Sequence, residues 1–374
     1  MHERVLITGG AGFIGSHLVD RLVELGYRVQ VLDSLEPQVH GNSSGHRNAG
    51  AEYLVGSVLD ADAVARSLIG VDAVVHFAAQ VGVGQSMYDI RRYVRENCEG
   101  TAVLLEALAE RRDSVGTLLV ASSMSIYGEG QYKCQPCGRD DATADRPAER
   151  LEAGLWEPIC AQCGAELEAI ATSENKRLEC ASVYAITKRD QEELCLVGAR
   201  AYGIRTTALR FFNAYGPRQS LSNPYTGVAA IFAGRLLNGN APLVYEDGLQ
   251  SRDFVHVSDV VHGVVLALEK PEADALAINL GTGRRSTVLD VARHLARGLA
   301  VEIEPSLPGQ FRLGDIRHCF ADLTRARDVL GYEPQIDLGT GLSDLVRWIE
   351  AERPTAVDRV ETSSHELATR GLVV

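Results

Sequence analysis

The chain has 374 residues, 45% apolar and 23% charged, enough for one large domain or two ordinary ones with a core that needs no disulfides. Its net charge of −13, from 50 acidic against 37 basic residues, disfavours nucleic acid or an anionic membrane as the main partner. No apolar run approaches the ~18 residues of a membrane span. Met1-His2-Glu3-Arg4 leads straight into a strand pattern without a secretory or transit segment, so the expectation is a cytoplasmic protein with reduced cysteines.

Val5-Leu6-Ile7 is a short apolar run ending in glycine-rich sequence, and Ile14, Leu18, Leu22 and Leu25 follow at helical spacing. Further strands are predicted at 28–32, 53–55, 73–76, 118–121 and 206–210, with helices at 61–68, 101–109 and 183–201. Buried strands alternating with helices predict an α/β fold, a doubly wound parallel sheet of the Rossmann type over residues 1–210. After Phe211, Pro, Gly and Asn become frequent and helices are expected only at 289–299 and 342–350. Residues 211–353 read as a smaller mixed α/β region that caps a substrate. The polar stretch 354–374, with weak periodicity, reads as a flexible tail.

The first turn is Thr8-Gly9-Gly10-Ala11-Gly12-Phe13-Ile14-Gly15. Gly9 suits a tight turn, Gly12 lets backbone approach a pyrophosphate, and Gly15 lets helix pack close on strand. The helix N-terminus then offers free N–H groups and a positive dipole end to the phosphates. Asp33 ends the second strand 18 residues after Gly15, where a carboxylate accepts from ribose hydroxyls and repels a 2′-phosphate. Strand, turn, helix and acid together point to NAD rather than NADP.

Tyr184 and Lys188 stand four apart at the start of the long predicted helix and share a face. Only four of the 37 basic residues are Lys, so one at this offset is informative. A phenol near pKa ~10 becomes a usable base when an ammonium and a nicotinamide cation favour its phenolate. Upstream, Ser123 falls at the carboxyl end of the fifth strand, where ligands bind in open parallel sheets. The 60 residues between Ser123 and Tyr184 hold Cys134-Gln135-Pro136-Cys137-Gly138 and Cys160-Ala161-Gln162-Cys163-Gly164. Two C-x2-C pairs, each followed by Gly, read as a zinc-ribbon-like segment within 130–170 in which Cys134, Cys137, Cys160 and Cys163 hold a structural zinc; disulfides and a redox dithiol are the alternatives. Four thiolates leave no open position, so this metal is given no catalytic role.

The motifs TGGAGFIG, Asp33, HFAAQ (76–80), Asn97, SSMSIYG (122–128), YAITK (184–188), RFFNAYGPRQ (210–219), DGLQSRDFVHVSDV (247–260), NLGTG (279–283) and RLGDIRH (312–318) occur in one order. Together they resemble the extended short-chain dehydrogenases/reductases, and more narrowly the NAD-dependent nucleotide-sugar epimerases and dehydratases. The resemblance spans about residues 4–350. It implies an NAD site of Gly9, Gly12, Phe13, Ile14, Gly15, Asp33, Ser34, Ser57, Val58, Phe77, Ala78, Ala79 and Asn97, completed by Tyr184 and Lys188. Tyr184 would be the base, Lys188 its electrostatic partner, and Ser123 the hydrogen-bond partner of the reacting hydroxyl. Ser123, Ser125, Tyr184 and Asn213 would touch a nucleotide-diphosphate sugar, with Arg252 and Arg317 neutralising its diphosphate. A homodimer joined through two helices per subunit is also implied.

Two departures stand out. Gly56-Ser57 replaces the usual Gly-Asp that meets adenine. Met124 and Ser125 replace the Asp-Glu pair with which 4,6-dehydratases eliminate water, and a Met can neither donate nor accept a proton. The paired-cysteine insert is similar to that of the bacterial dTDP-L-rhamnose 4-epimerases. The expected activity is therefore 4-epimerisation through a 4-keto sugar, with dTDP-L-rhamnose and dTDP-6-deoxy-L-talose as the pair. A 4-ketoreductase or dehydrogenase, a decarboxylase and a non-catalytic NAD-binding regulator are the rivals.

Overall fold

The computed structural model describes residues 3–41, 45–312, 314–352 and 355–373. Seven strands form one sheet: β1 (Arg4–Thr8), β2 (Arg28–Asp33), β3 (Ala51–Val55), β4 (Ala73–His76), β5 (Thr117–Ser123), β6 (Arg205–Phe211) and β7 (Ala277–Leu280). All pairings are parallel, in the order β7-β6-β5-β4-β1-β2-β3. The chain winds outward from β1 in one direction and from β4 in the other. The switch point between them is where an open parallel sheet leaves a crevice for a ligand.

The principal helices are α1 (Phe13–Glu24), α2 (Ala61–Ser67), α3 (Gly100–Ala109), α4 (Val183–Ala201), α5 (Val228–Leu237), α6 (Val257–Glu269), α7 (Val288–Gly298), α8 (Leu338–Glu352) and α9 (Val360–Thr369). Successive strand residues face opposite ways. Val5 and Ile7 pack with Leu18 and Leu22 of α1 and Val260 and Val264 of α6. Leu6 packs with Val64 of α2, Leu104 and Leu108 of α3 and Cys195 of α4. The sheet is thus covered on both faces, which is why its strands are apolar throughout rather than alternating. A separate core joins α5, α7 and α8 through Phe232, Leu236, Val291, Leu295, Leu342 and Leu345.

Two features depart from the expectation. The sheet does not end near residue 210: α6 covers it and β7 adds its outer edge, because a parallel edge strand must be reached by a crossover. β7 gives little periodic signal, being four residues long with Asn279 at its centre. That amide is wholly buried, donating to the Thr172 and Asp322 carbonyls and accepting from the Tyr127 hydroxyl. The predicted tail carries α9. Its Leu367 is buried and its Glu366 accepts from the hydroxyls of Tyr88 (2.9 Å) and Tyr225 (3.1 Å). The expected boundary at 353/354 lies outside the described residues.

The insert builds two small antiparallel ladders, Gln131–Lys133 with Glu168–Ile170 and Ala144–Asp145 with Ile159–Cys160. Among the described residues, no helix is long and apolar enough to cross a membrane.

Candidate active site

A cavity of about 1130 Å³ opens at the carboxyl ends of β1, β2, β4 and β5. Gly9 has φ +72°, and a Cβ on it would lie 2.8 Å from the Ala78 backbone nitrogen. A Cβ on Gly15 would strike the Gly9 carbonyl, so the helix can approach the strand only without one. Gly12 caps α1 without any side-chain hydrogen bond, leaving the first N–H groups of the helix for a ligand. Gly9, Gly12, Phe13, Ile14, Asp33, Ser34, Ser57, Val58, Phe77, Ala78 and Ala79 all line the cavity.

Asp33 ends β2 with its carboxylate already oriented. It accepts from the backbone N–H of Ala11 (2.9 Å) and Leu35 (2.8 Å), and His40 Nε2 lies 3.6 Å away. Burial works against the charge, but these hydrogen bonds hold the carboxyl below its ordinary range. Ser57 accepts from the Leu59 N–H at 3.1 Å. Asn97 and Gly15 do not line the cavity. Asn97 is fully buried and works from behind: it donates to the Gln80 carbonyl and the Thr187 hydroxyl and accepts from the Gln80 N–H. It therefore braces the loop after β4 against α4.

Ser123, Ser125, Tyr184 and Lys188 share one wall of this cavity. β5 delivers Ser123. Ser182 caps α4 by accepting from the Ala185 N–H and so places Tyr184 in the first turn. The Ser125 hydroxyl donates to Ser123 Oγ (2.9 Å), and the Tyr93 ring stands edge-on to Tyr184 with centroids 6.5 Å apart. Burial pushes the Tyr184 phenol up, and the hydrogen bond with Ser123 opposes it. Burial lowers Lys188 to about 8, and its ammonium donates to Gln191 Oε1 at 2.8 Å. Gln191 was not singled out from sequence, although it lies three residues after Lys188 on the same helix face. Its amide is fixed in turn by Thr101 (2.9 Å) beside His76, which burial lowers to about 3 and keeps neutral.

Asn213 lines the cavity, and its Oδ1 is buried without a hydrogen-bond partner. Arg252 and Arg317, expected on the diphosphate, do not line it. The five N–H donors of Arg317 go to Glu157, Glu246 and Asp247, at 2.5 to 3.0 Å. Arg252 donates to the carbonyls of Ser251, Ile316 and Arg317 and to Asp315. Arg317 has no donor left for a phosphate, because the insert supplies Glu157 to a site already bordered by two acids.

The insert holds Cys134, Cys137, Cys160 and Cys163 with all four sulfurs within 4.8 Å of one another. Sγ distances are 3.5 Å for Cys134–Cys163 and 4.0 Å for Cys137–Cys160. These exceed the ~2.05 Å of a disulfide and bracket the ~3.8 Å edge of a tetrahedron with ~2.3 Å metal–sulfur arms. Gly138 and Gly164 have φ +63° and +73°, the turns that let each pair fold back on itself. N–H groups of Cys163 and Gln162 lower the Cys160 thiol to about 7.

The model of the NAD dependent epimerase/dehydratase family matches residues 5–152 and 160–281. The dTDP-L-rhamnose 4-epimerase of Burkholderia thailandensis is 34% identical over 362 residues, covering 94% of this chain and 96% of that protein. Among solved structures, the UDP-glucose 4-epimerase of Thermotoga maritima, in complex with UDP-glucose, superposes with a TM-score of 0.77 at 32% identity, over 94% of this chain and 100% of that one. The UDP-glucose 4-epimerase of Thermus thermophilus, in complex with NAD, does so with a TM-score of 0.73 at 29% identity, over 93% and 99%. With the glycine turn, the oriented carboxylate and the Ser/Tyr/Lys wall in one crevice, this chain belongs to the NAD-dependent epimerase/dehydratase family of enzymes.

Proposed function

We propose that the protein is an NAD-retaining nucleotide-sugar 4-epimerase that interconverts dTDP-L-rhamnose and dTDP-6-deoxy-L-talose. The observation that carries this reading is that Ser123, Tyr184 and Lys188 share the cavity of the glycine turn. The likeness to the Burkholderia enzyme favours the sugar pair, and Met124 in place of an acid disfavours dehydration.

The Gly9–Gly15 turn, the bare α1 N-terminus and Asp33 fit a dinucleotide's pyrophosphate and ribose, with Phe13, Ile14, Ser34, Ser57, Val58, Phe77, Ala78 and Ala79 around it. When bound, the nicotinamide supplies a reversible hydride acceptor. Tyr184, as phenolate, takes the proton of the sugar 4-hydroxyl as that carbon becomes a ketone. It returns the proton once the keto sugar has presented its other face. Ser123 hydrogen-bonds the reacting oxygen, and Lys188 favours the phenolate and would hold the nicotinamide ribose. Asn213, with its free carbonyl oxygen, faces the substrate.

The four thiolates would hold a structural zinc. Cys134→Ser should drop bound zinc from about one equivalent to near zero, read by metal analysis. A homodimer is supported by apolar side chains left exposed on neighbouring helical segments: Ile90 and Val94, with Ile186, Leu194 and Val197 of α4. The functional test is NMR of product stereochemistry over a panel of dTDP-, UDP- and GDP-sugars without added cofactor. Inversion at the fourth carbon supports the proposal. A requirement for fresh cofactor in each turnover, or release of carbon dioxide, overturns it.

A further inference from the structure

β1 lies between β2 and β4 in the sheet. The loops after β2 and β4 therefore flank the glycine turn that follows β1, with roots two strand spacings, ~10 Å, apart. Their side chains meet. Gln38, on the short helix Pro37–His40 after β2, donates from Nε2 to Gln85 Oε1 at 2.9 Å. Gln85, on the short helix Val83–Ser86 after β4, donates from its own Nε2 to Gln38 Oε1 at 3.1 Å. The result is a reciprocal amide pair that does not itself line the cavity; its chain neighbours, His40 on one side and Val83 on the other, do. Gln85 is only 8% exposed. Arg92 holds the pair by donating to Gln38 Oε1 (3.3 Å) while bridging to Glu36 (3.2 Å).

We propose that the Gln38–Gln85 pair is a bar tying together the two loops that wall the cofactor crevice, so that the dinucleotide enters or leaves only when the pair opens and the loops part. A bridge between the loops after β2 and β4 spans β1, whose glycine turn receives the pyrophosphate, and so fixes how far apart the two walls stand. Two neutral amides suit this place. Each amide both donates and accepts, so neither is left unsatisfied when the bar is shut, and neither carries a charge to repel phosphate. The inference rests on the reading of a retained cofactor and supplies a physical reason for retention.

The test is the rate of NAD release from NAD-loaded protein, followed with an enzyme that consumes free NAD. Gln38→Leu and Gln85→Leu should each speed release on the order of tenfold, through loss of the two reciprocal hydrogen bonds together with those of Gln38 to Arg92 and Asn223, or that of Gln85 to Tyr93. The double variant should fall well short of the product of the two singles, because both changes break the same pair. Gln38→Glu keeps the size and the acceptor but loses the donor, and should fall between wild type and Gln38→Leu. Unchanged release in both Gln38 variants, or a double variant whose effect is the product of the two singles, overturns the bar. Wild-type protein that holds no NAD overturns the retention reading instead; NAD-filled wild type with indifferent variants overturns the bar alone.

Discussion

The cofactor crevice and the insert's contact with the capping region are both buried and polar, but they are built in opposite ways. The crevice works through backbone: a glycine turn, a helix end and one carboxylate, brought together by residues close in sequence or on adjacent strands. The contact works through charge. Arg146 and Glu157 of the insert meet Glu246, Arg317 and His318 across 100 to 161 positions of chain, and Arg317 also bridges to Asp247. The first arrangement leaves N–H groups for a ligand; the second uses all those of Arg317. A cation in a sequence motif is therefore a weak predictor of a ligand contact until its neighbours are known.

The sharpest way to separate the two regions is to disable each. Tyr184→Phe removes the proposed proton acceptor and should lower turnover by roughly 10²- to 10⁴-fold, with bound NAD retained; an undiminished rate in a steady-state assay would remove Tyr184 from the chemistry. Arg317→Met should act on stability instead. It leaves Glu246, itself 5% exposed, without one of its two arginines, and breaking a buried pair costs about 3–5 kcal/mol. Thermal unfolding should show a lowered melting temperature, while the NAD content of the protein stays the same.

Two pH experiments sharpen the contrast. Lys188, lowered to about 8, is cationic below that value and neutral above it. If the reactive form needs the phenolate and that ammonium together, its share rises about tenfold per pH unit below about 8 and levels off above it, because the gain in phenolate then offsets the loss of ammonium, and turnover should follow that rise and plateau. Glu157 responds at the other end. The hydrogen bond from His318, then Arg317, lowers its carboxyl to about 2. A carboxyl depressed in the folded state contributes stability above its unfolded pKa of ~4.3 and loses it as pH falls toward about 2. Acid unfolding followed by fluorescence should therefore move to higher pH in Glu157→Gln. The smallest effect is expected from Arg4→Ala, whose partner Glu52 is mostly exposed: within about 1 kcal/mol by denaturant titration.

Six of the seven sheet strands were legible because buried parallel strands are apolar runs between turns. β7 was not, since its centre is an asparagine serving three distant groups. α9 was hidden for a similar reason: its docking uses Leu367 and Glu366, too little to give a periodic stripe. In the site, the glycine turn, Asp33, Ser123, Tyr184 and Lys188 could be read because backbone geometry and short helical offsets are local. The fate of Arg252 and Arg317 could not, because it depends on carboxylates that only folding brings near.

By itself, the order of residues settled the α/β class, the glycine turn and the two cysteine pairs, since each rests on a spacing of a few residues that the backbone converts directly into geometry. Only the tertiary structure decided that the four sulfurs converge, that the Tyr184 phenol is buried beside Ser123, that Arg317 is saturated by acids and that Gln38 reaches Gln85. These are through-space relations between distant segments, and desolvation and hydrogen-bond competition act on them only after the chain has folded.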